Sequence, residues 1–387
     1  MNRGKTGQYH VTTIGGEEIR AFVPDPLPPI PSICMDGAVQ RALEPALLAL
    51  GRLDAISSLL PNPALFLYHY VRKEALLSSQ IEGTQSSLSE LMLFELDEAP
   101  GTPTVDVVEV SNYVAALEHG LARLKDGFPL SNRWLREMHG VLLRSGRGAD
   151  KDPGEFRRSQ NWIGGTRPGN AEFVPPPPPE VLNAMSALEQ FMHDESTGLP
   201  LLVRVGLVHV QFETIHPFLD GNGRIGRLLI TLQLVHAGVL AMPLLYLSLY
   251  LKQHRSRYYQ LLDRVRTEGV WEEWLVFFLD GITETATLAV SATRRLIAQV
   301  QKDRAHLTAL GRPARSALQV LDLLSQRPVT SVSSASRRTG LSFPAVATAL
   351  NLMVREEIVR ELTGKRRHRA YGYIGHLAIL SEGTEQG

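Results

Sequence analysis

The sequence is poor in cysteine, since Cys34 is the only one in 387 residues. A single thiol cannot close a disulfide within the chain, so the small disulfide-stapled folds of secreted proteins are excluded. The start of the chain also has no apolar stretch of the kind that forms a secretory signal. We therefore expect a reducing compartment, the cytoplasm.

The chain has no excess of charge of either sign, with 40 Lys and Arg residues against 40 Asp and Glu. As a whole it is not a polyanion-binding protein. The balance is uneven, however: residues 312–369 hold eleven basic and four acidic side chains, a local net charge of +7. Such asymmetry indicates that the C-terminal part meets something acidic.

Long hydrophobic runs are scarce, and the most apolar one covers residues 228–251. It contains Gln233, His236, Gly238 and Pro243. A membrane span needs about 20 apolar residues with few polar interruptions. The run predicts a buried core helix followed by a short second element, and no membrane segment.

Helical periodicity dominates the rest and predicts a mainly α fold. The first forty residues are rich in proline and predict irregular structure. Residues 100–104 predict a loop, residues 161–174 a short hairpin turning at one of its glycine pairs, and the prolines at 175–179 an extended polyproline path. The predicted helices cover residues 37–60, 64–83, 87–96, 107–125, 132–144, 180–193, 199–214, 222–236, 246–266 and, with an interruption, 270–301.

The C-terminal pattern differs from the rest. Residues 314–325 and 332–338 predict two helices, and Ser342 is placed to cap a third. The strand-like segments IVREL and AYGYI follow, separated by the basic turn at 365–369. Three helices and a β-hairpin in that order predict a winged helix-turn-helix domain.

The sequence HPFLDGNGRIGR at residues 216–227 concentrates groups that phosphate transfer needs. Its glycines precede a predicted helix, whose free N–H groups and positive dipole end attract phosphate oxygens. Arg224 and Arg227 share one helix face and can grip two phosphates by forked hydrogen bonds. The loop is not a Walker A loop, because GxxxxGK[ST] is absent.

Two further residues of this sequence supply the remaining chemistry. Asp220 is a hard oxygen ligand suited to Mg²⁺. His216 lies just before the anion-binding part, where a base for a hydroxyl nucleophile is needed. By contrast, His209 and Glu213 lack the HExxH pattern, so we interpret them as packing residues. We interpret three scattered histidines as structural or exposed: His139, His193 and His236.

This string resembles the signature HPFxDGNGRxxR of the Fic family (Fic/DOC, fido fold). The segments HVQFETIHPF, NWIGG…VPPPPPEV and KQHRSRYYQLLDRV also resemble larger bacterial members, in which a C-terminal winged helix occurs. The resemblance implies a Fic-fold helical core with a short β-hairpin flap at residues 162–174, which aligns a target chain by strand addition.

The resemblance further implies a protein adenylyltransferase that transfers AMP from ATP to a Tyr, Thr or Ser hydroxyl, with His216 as base and Asp220 holding Mg²⁺. Family members often dimerise, so a homodimer is expected, and self-modification is a further expectation. The implied ATP-binding residues are Glu82, Gly221, Asn222, Gly223, Arg224, Ile225, Gly226, Arg227, Tyr258 and Tyr259.

Residues 78–83, SSQIEG, fit the family's inhibitory pattern [S/T]xxxE[G/N] through Ser78, Glu82 and Gly83. In relatives this glutamate pairs with the second arginine of the signature, here Arg227, and denies it to the γ-phosphate. In some relatives it also positions water to remove AMP, so reversal is a second implied activity.

The resulting division of the chain has four parts. Residues 1–110 form a helical region with the inhibitory motif, residues 111–290 the catalytic core, residues 291–312 a linker helix and residues 313–387 the winged helix-turn-helix. Two alternatives stay open: an enzyme with another nucleotide or phosphoryl donor, and a nucleotide-sensing regulator that binds DNA through residues 342–369.

Overall fold

The protein is described by a computed structural model that covers residues 3–14, 16–35, 37–58, 63–96, 105–365 and 368–384. The chain folds into two compact units. The first contains residues 1–51, 112–241 and 250–284, and the second contains residues 52–111, 242–249 and 285–387. The loop predicted at 100–104 and the basic residues 366 and 367 lie outside the described residues. The fourfold division drawn from the sequence stays a prediction.

The described residues are mainly helical, as predicted. Most helices lie within two or three residues of the predicted bounds, because apolar residues at helical spacing and clear caps define them. The helices are α1 (Ala38–Ser58), α2 (Pro63–Ile81), α3 (Leu88–Phe94), α4 (Val105–Lys125), α5 (Asn132–Leu142), α6 (Pro178–His193), α7 (Leu201–Ile215), α8 (Asn222–His236), α9 (Ser248–Gln253), α10 (Arg255–Glu268), α11 (Trp271–Ala309), α12 (Arg315–Gln326), α13 (Val332–Thr339), α14 (Phe343–Arg355) and α15 (Ile374–Ser381).

The prediction of irregular structure for the first forty residues was wrong for residues 7–24, whereas residues 25–35 contain no helix or strand. Strands β1 (Gly7–Ile14) and β2 (Glu17–Pro24) form an antiparallel hairpin in the first unit. The signal was present in the sequence: alternating apolar residues flank a Gly-Gly pair, which is typical of a hairpin turn. The prolines that suggested irregular structure come mainly after β2.

The proline run was also interpreted too simply. Helix α6 begins at Pro178 with Pro177 as its N-cap, so two of the five prolines lie in the first helical turn. Proline is tolerated there because the first-turn N–H groups have no helical partner.

Helix α7 forms the centre of the first unit, and all of its residues from Val205 to Ile215 are buried. It packs against α8, α6, α10 and β2. Because α7 and α8 are consecutive and packed together, the loop joining them is held between the end of one helix and the start of the next. This geometry positions the signature sequence.

In the second unit, α12, α13 and α14 enclose an apolar core with a three-stranded sheet. The sheet contains β3 (Val329–Ser331), β4 (Val359–Glu361) and β5 (Ala370–Tyr373), in the antiparallel order β3-β5-β4. The predicted hairpin corresponds to β4 and β5. Strand β3 and helix α15 were missed, because both are too short to show periodicity.

Two helix predictions near the unit boundaries needed correction. The single helix predicted over 246–266 is divided into α9 and α10 at His254, and the predicted interruption of the next helix is absent because α11 continues for 39 residues. Helix α11 is long and apolar enough to match a membrane span by composition, yet most of the matching stretch is buried, as in a core helix. That match alone is weak evidence for a membrane segment.

Candidate active site

The signature residues occupy one continuous turn between α7 and α8. Helix α7 ends at Ile215, and His216 is its C-cap in the left-handed region, with φ of 49°. A non-glycine residue there is uncommon and costs roughly 1 kcal/mol, so the surrounding contacts must hold it. The chain then runs through Gly221, another left-handed residue with φ of 78°, into α8.

The imidazole of His216 is oriented by the last turn of α7. Its Nδ1 lies 3.3 Å from the carbonyl oxygen of Glu213 and 4.0 Å from the Glu213 carboxylate. When Nδ1 carries the proton and donates to that carbonyl, Nε2 keeps the lone pair. The arrangement therefore suits a base acting through Nε2.

The loop after His216 is held by Asn222, the first residue of α8. The Asn222 side chain accepts from Phe218 N and donates to Phe218 O, both at 2.8 Å. Phe218 is buried and stacks on the His139 ring at a centroid distance of 3.8 Å. The two contacts fix the turn from inside the core.

His139 has a supporting role that its scattered position in the sequence did not reveal. Gly154 N donates to its Nδ1 at 2.8 Å, so the ring is protonated on Nε2, which lies 3.0 Å from the carbonyl oxygen of Asp220. Burial lowers the pKa of His139 to about 4. The ring is therefore neutral at pH 7 and donates to the backbone of Asp220.

The carboxylate of Asp220 projects at the start of α8. Its Oδ1 accepts from Gly221 N at 2.5 Å and from Arg224 at 3.4 Å. Its Oδ2 faces Gly148, where an added Cβ would lie only 2.8 Å away. The carboxylate is one third exposed. The contacts of Oδ1 thus orient the side chain, while Oδ2 lies against Gly148, where a larger residue would not fit.

The N-terminal turn of α8 forms the anion-binding part of the site. The first backbone bond of the helix joins Ile225 N to Gly221 O, so the N–H groups of the residues between them point out of the helix end. Arg224 and Arg227 are both buried on this helix. At Gly226 a Cβ would lie 2.4 Å from the Glu213 carboxylate, so the position has no room for a side chain.

Tyr258 and Tyr259, the pair of tyrosines implied at the ATP site, lie in two different environments. Tyr258 is 1% exposed, and its hydroxyl lies 2.8 Å from His209 Nε2, while His209 Nδ1 lies 3.1 Å from Gly226 O. Burial lowers the pKa of His209 to about 3, so it is a neutral bridge from α10 to α8. Tyr259 is 40% exposed beside Tyr258, with ring centroids 5.1 Å apart. Tyr259 is the member of the pair with ring surface available to a ligand.

The predicted flap contains a single antiparallel bridge between Ile163 and Phe173. Its tip includes the turn Pro168–Asn170, and Arg167 pairs with Glu17 of β2 at 2.7 Å. At its base, Phe22 N of β2 donates to Val174 O at 2.9 Å. The N-terminal hairpin thus supports the flap along one side.

Arg157 and Asn161 were not predicted from the sequence. Arg157 is 2% exposed and donates from Nε to the carbonyl of His216 at 2.9 Å. Asn161 donates to the carbonyl of Phe218 at 2.9 Å. Their acceptors are backbone groups about 57 to 59 residues away, and no side-chain pattern in the sequence signals such contacts.

The inhibitory pattern lies in the second unit, at the end of α2. Ser78 is buried there, while Glu82 N and Gly83 N donate to the carbonyls of Ser79 and Gln80. Gly83 has φ of 95°, as a glycine that ends a helix commonly does. The predicted position of the inhibitory pattern at the end of a helix is therefore confirmed.

Comparison with known proteins gives the same picture. The Fic/DOC family model matches residues 129–234, and the Fic/DOC family N-terminal model matches residues 40–122. Two curated relatives carry the name Protein adenylyltransferase Fic. The one from Culex quinquefasciatus is 33% identical over 221 residues, 56% of this chain and 41% of the relative; the one from Drosophila willistoni is 31% identical over 193 residues, 50% and 36%.

The chain spans less than half the length of the curated relatives it matches. In fold it is similar to the crystal structure of a Fic family protein from Desulfovibrio desulfuricans G20. The TM-score is 0.57 at 21% sequence identity, over 88% of this chain and 97% of that one. The complete signature lies in the turn between α7 and α8, inside the segment that the Fic/DOC family model matches. The matches thus show a Fic/DOC domain at residues 129–234 and the family's N-terminal domain at residues 40–122.

Proposed function

We propose that this protein is an adenylyltransferase that moves AMP from ATP to a hydroxyl of a target protein. The observation that carries the proposal is the juxtaposition of two groups in one turn. A histidine oriented to act as a base through Nε2 ends α7, and an N-terminal helix end with two buried arginines begins α8. The name of the two curated relatives supports the same chemistry.

In the proposed reaction, His216 Nε2 takes the proton from a Tyr, Thr or Ser hydroxyl of the target. The hydroxyl oxygen forms a bond to the α-phosphorus of ATP, the bond from that phosphorus to the α,β-bridging oxygen breaks, and pyrophosphate leaves. The first-turn N–H groups of α8 and Arg224 would hold the α- and β-phosphates, with Arg227 at the γ-phosphate. Tyr259, the exposed member of the tyrosine pair, would offer an aromatic surface to the nucleotide.

The residues present also fit a Mg²⁺ ion carried by ATP. Mg²⁺ usually takes one or two carboxylates and completes its coordination with phosphates and water. The partly exposed carboxylate of Asp220 supplies such a ligand, and among the described residues no group of three or more His, Cys, Asp or Glu side chains could hold a metal by itself. When bound, the ion would offset the negative charge of the phosphates.

We also propose that Glu82 restrains the enzyme by pairing with Arg227, and that the same carboxylate supports AMP removal. The support is the six-residue pattern, its position at the end of α2 and the half-buried setting of Glu82. A buried Arg–carboxylate pair is strongly directional, so it would hold Arg227 away from a γ-phosphate.

For the second unit we propose a winged helix-turn-helix formed by α12–α14 and the sheet β3-β5-β4. The support is the element order and the shared apolar core. The exposed face of α14 is mostly uncharged, with Phe343, Asn351 and Val354 and one cation, Arg355. DNA binding by residues 342–369 and a homodimer remain predictions from the sequence.

The function is tested by incubating the Glu82→Gly protein with α-³²P-labelled ATP, Mg²⁺ and a cell lysate. Label should enter protein, and His216→Ala in the same background should lose about 10²–10⁴-fold of the rate, the usual contribution of a general base. ATP affinity should stay nearly constant, because His216 handles a proton and not the triphosphate. Full transfer by the His216→Ala protein would refute the mechanism.

A further inference from the structure

One short segment, residues 157–161, holds the backbone of the base-bearing loop. Three successive carbonyls each accept a hydrogen bond from it. His216 O accepts from Arg157 Nε, Pro217 O from Arg157 N and Phe218 O from Asn161 Nδ2, each at 2.9 Å. Pro217 has no N–H, so its carbonyl is the only backbone group through which it can be hydrogen-bonded.

The Arg157 guanidinium is buried without a carboxylate partner among the described residues. Besides His216 O, its acceptors are the carbonyls of Pro176 at 2.5 Å, Ile215 at 3.4 Å and Ser159 at 3.4 Å. Burial lowers the pKa of Arg157 to about 10, which leaves it charged at pH 7. A buried cation is costly, and here the negative end of the α7 dipole and its last carbonyls offset the charge.

The same segment also holds the exit of the flap. Arg157 Nη2 reaches the carbonyl of Pro176, and Gln160 Nε2 donates to the carbonyl of Pro175 at 3.0 Å. One planar guanidinium therefore spans the C-terminal arm of the flap and the residue that carries the base. Lysine cannot replace it, because a single ammonium on a flexible stem lacks the fixed fork of donors.

We propose that Arg157 is a positioning residue that sets the distance between the target-aligning flap and the imidazole of His216. This inference rests on the proposed function. Its consequence is that Arg157 contributes to turnover and not to ATP binding. A misplacement of about 1 Å between reacting groups can cost about 10²-fold in rate.

The test compares Arg157→Lys with Arg158→Lys, its exposed neighbour in sequence, both in the Glu82→Gly background. Initial rates of α-label transfer are measured at saturating ATP, and ATP affinity is measured by equilibrium titration. Arg157→Lys should lower the rate about 10–10²-fold with ATP affinity within about threefold, since the geometry of the base changes but the phosphate site does not. Arg158→Lys should change neither quantity.

Two additions keep the test decisive. Asn161→Ala removes the side-chain contacts to Phe218 O at 2.9 Å and to His216 O at 3.5 Å and leaves those of Arg157, so it is the second variant if Arg157 substitutions impair folding. Guanidinium ion added to an Arg157→Ala protein should restore part of the transfer rate, whereas methylammonium should not, because only guanidinium reproduces the fork of donors.

A readout independent of activity separates this inference from the proposed function. The ¹⁵N resonances of the His216 ring, assigned by their loss in His216→Ala, should shift in Arg157→Lys and stay constant in Arg158→Lys. Unshifted resonances, or equal losses of rate and ATP affinity, would overturn the positioning role. If Glu82→Gly protein with Arg157 intact transfers no label, the proposed function fails, and the ring resonances still decide the role of Arg157.

Discussion

The loop that carries His216 and the flap are both short connections in the first unit, and they are held in opposite ways. The loop is tied through three successive carbonyls and through both polar atoms of the buried Asn222 side chain. The flap has one β-bridge and an exposed tip with two left-handed glycines, Gly164 and Gly165.

The difference matches the two tasks we propose for these segments. A base and an anion site must keep a fixed separation, because small displacements cost large factors in rate. A segment that aligns target chains must accept different backbones, and main-chain pairing leaves room for that. On this proposal, the segment with more buried hydrogen bonds is the one that carries the base, and the segment with fewer is the one that meets the target.

The largest effect is expected at Arg227, on α8, the helix that follows the loop with His216. Glu82→Gly should raise α-label transfer on the order of 10²-fold, because loss of the proposed pairing would free Arg227 for the γ-phosphate. Arg227→Ala should give no such rise, and the double variant should resemble Arg227→Ala, as expected for directly coupled residues. Glu82→Gln serves as the matched change of charge, and an unaltered rate in Glu82→Gly would place the restraint elsewhere.

A second test compares two asparagines with similar hydrogen bonding. Asn222 is buried in the loop, whereas Asn170 is exposed in the flap and bonds Thr166 and Arg167. Asn222→Ala should cost about 1–3 kcal/mol of unfolding free energy, since it leaves the buried Phe218 N–H without its acceptor, while Phe218 O keeps the bond from Asn161. Asn170→Ala should stay within about 0.5 kcal/mol because water replaces its bonds. Denaturant titration measures both, and equal losses would contradict the contrast.

A third test addresses the flap. Trp162 is 40% exposed beside the bridge and is the kind of side chain that dominates binding surfaces. Trp162→Ala should lower kcat/KM for a protein target roughly tenfold through KM while unfolding free energy changes little. Leu182→Ala, an exposed apolar residue of α6 outside the flap, is the matched control and should leave target kinetics unchanged.

The smallest effect concerns the supports of the loop in acid. Burial lowers the pKa of His139 to about 4 and that of His209 to about 3, both below the usual 6.5. Between pH 6.5 and these lowered pKa values, the unfolded chain binds more protons than the folded one. The contribution of the two neutral rings to stability is therefore complete above about pH 6.5. It is lost as pH falls toward 4 and then 3. Tm should drop by several degrees across that window.

The slope of Tm against pH should flatten in His139→Gln and remain unaltered in His236→Gln, whose ring is exposed. Calorimetry between pH 7 and pH 4 measures it. A constant Tm over that range in the unsubstituted protein would show that these buried rings do not govern acid stability.

Much of this site follows from the sequence, because its residues are adjacent in the chain. The bounds of α8 are those predicted, and the signature places His216, Asp220 and the anion turn together without any long-range information. The placement of Arg224 and Arg227 on one helix likewise follows from their spacing, whereas their burial does not.

The remainder depends on contacts between distant segments. Arg157 binds carbonyls of His216 and Pro176, and a backbone acceptor leaves no trace in the sequence. His139 was interpreted as a scattered histidine, because its stacking on Phe218 depends on how α5 packs. The hairpin β1–β2 is a different case. The alternation of apolar residues is present in its sequence, and the prolines that follow it led to the prediction of irregular structure.

The left-handed backbone of His216 links catalysis to evolutionary drift. Glycine occupies that backbone region with less strain than histidine, so the residue proposed to move the proton is one that glycine could replace with a gain in stability. On the proposed function, selection for transfer would keep histidine there. In a lineage that no longer needs the reaction, mutation of this position would increase stability while abolishing activity. Glycine directly after the α7 sequence would then indicate an inactive relative.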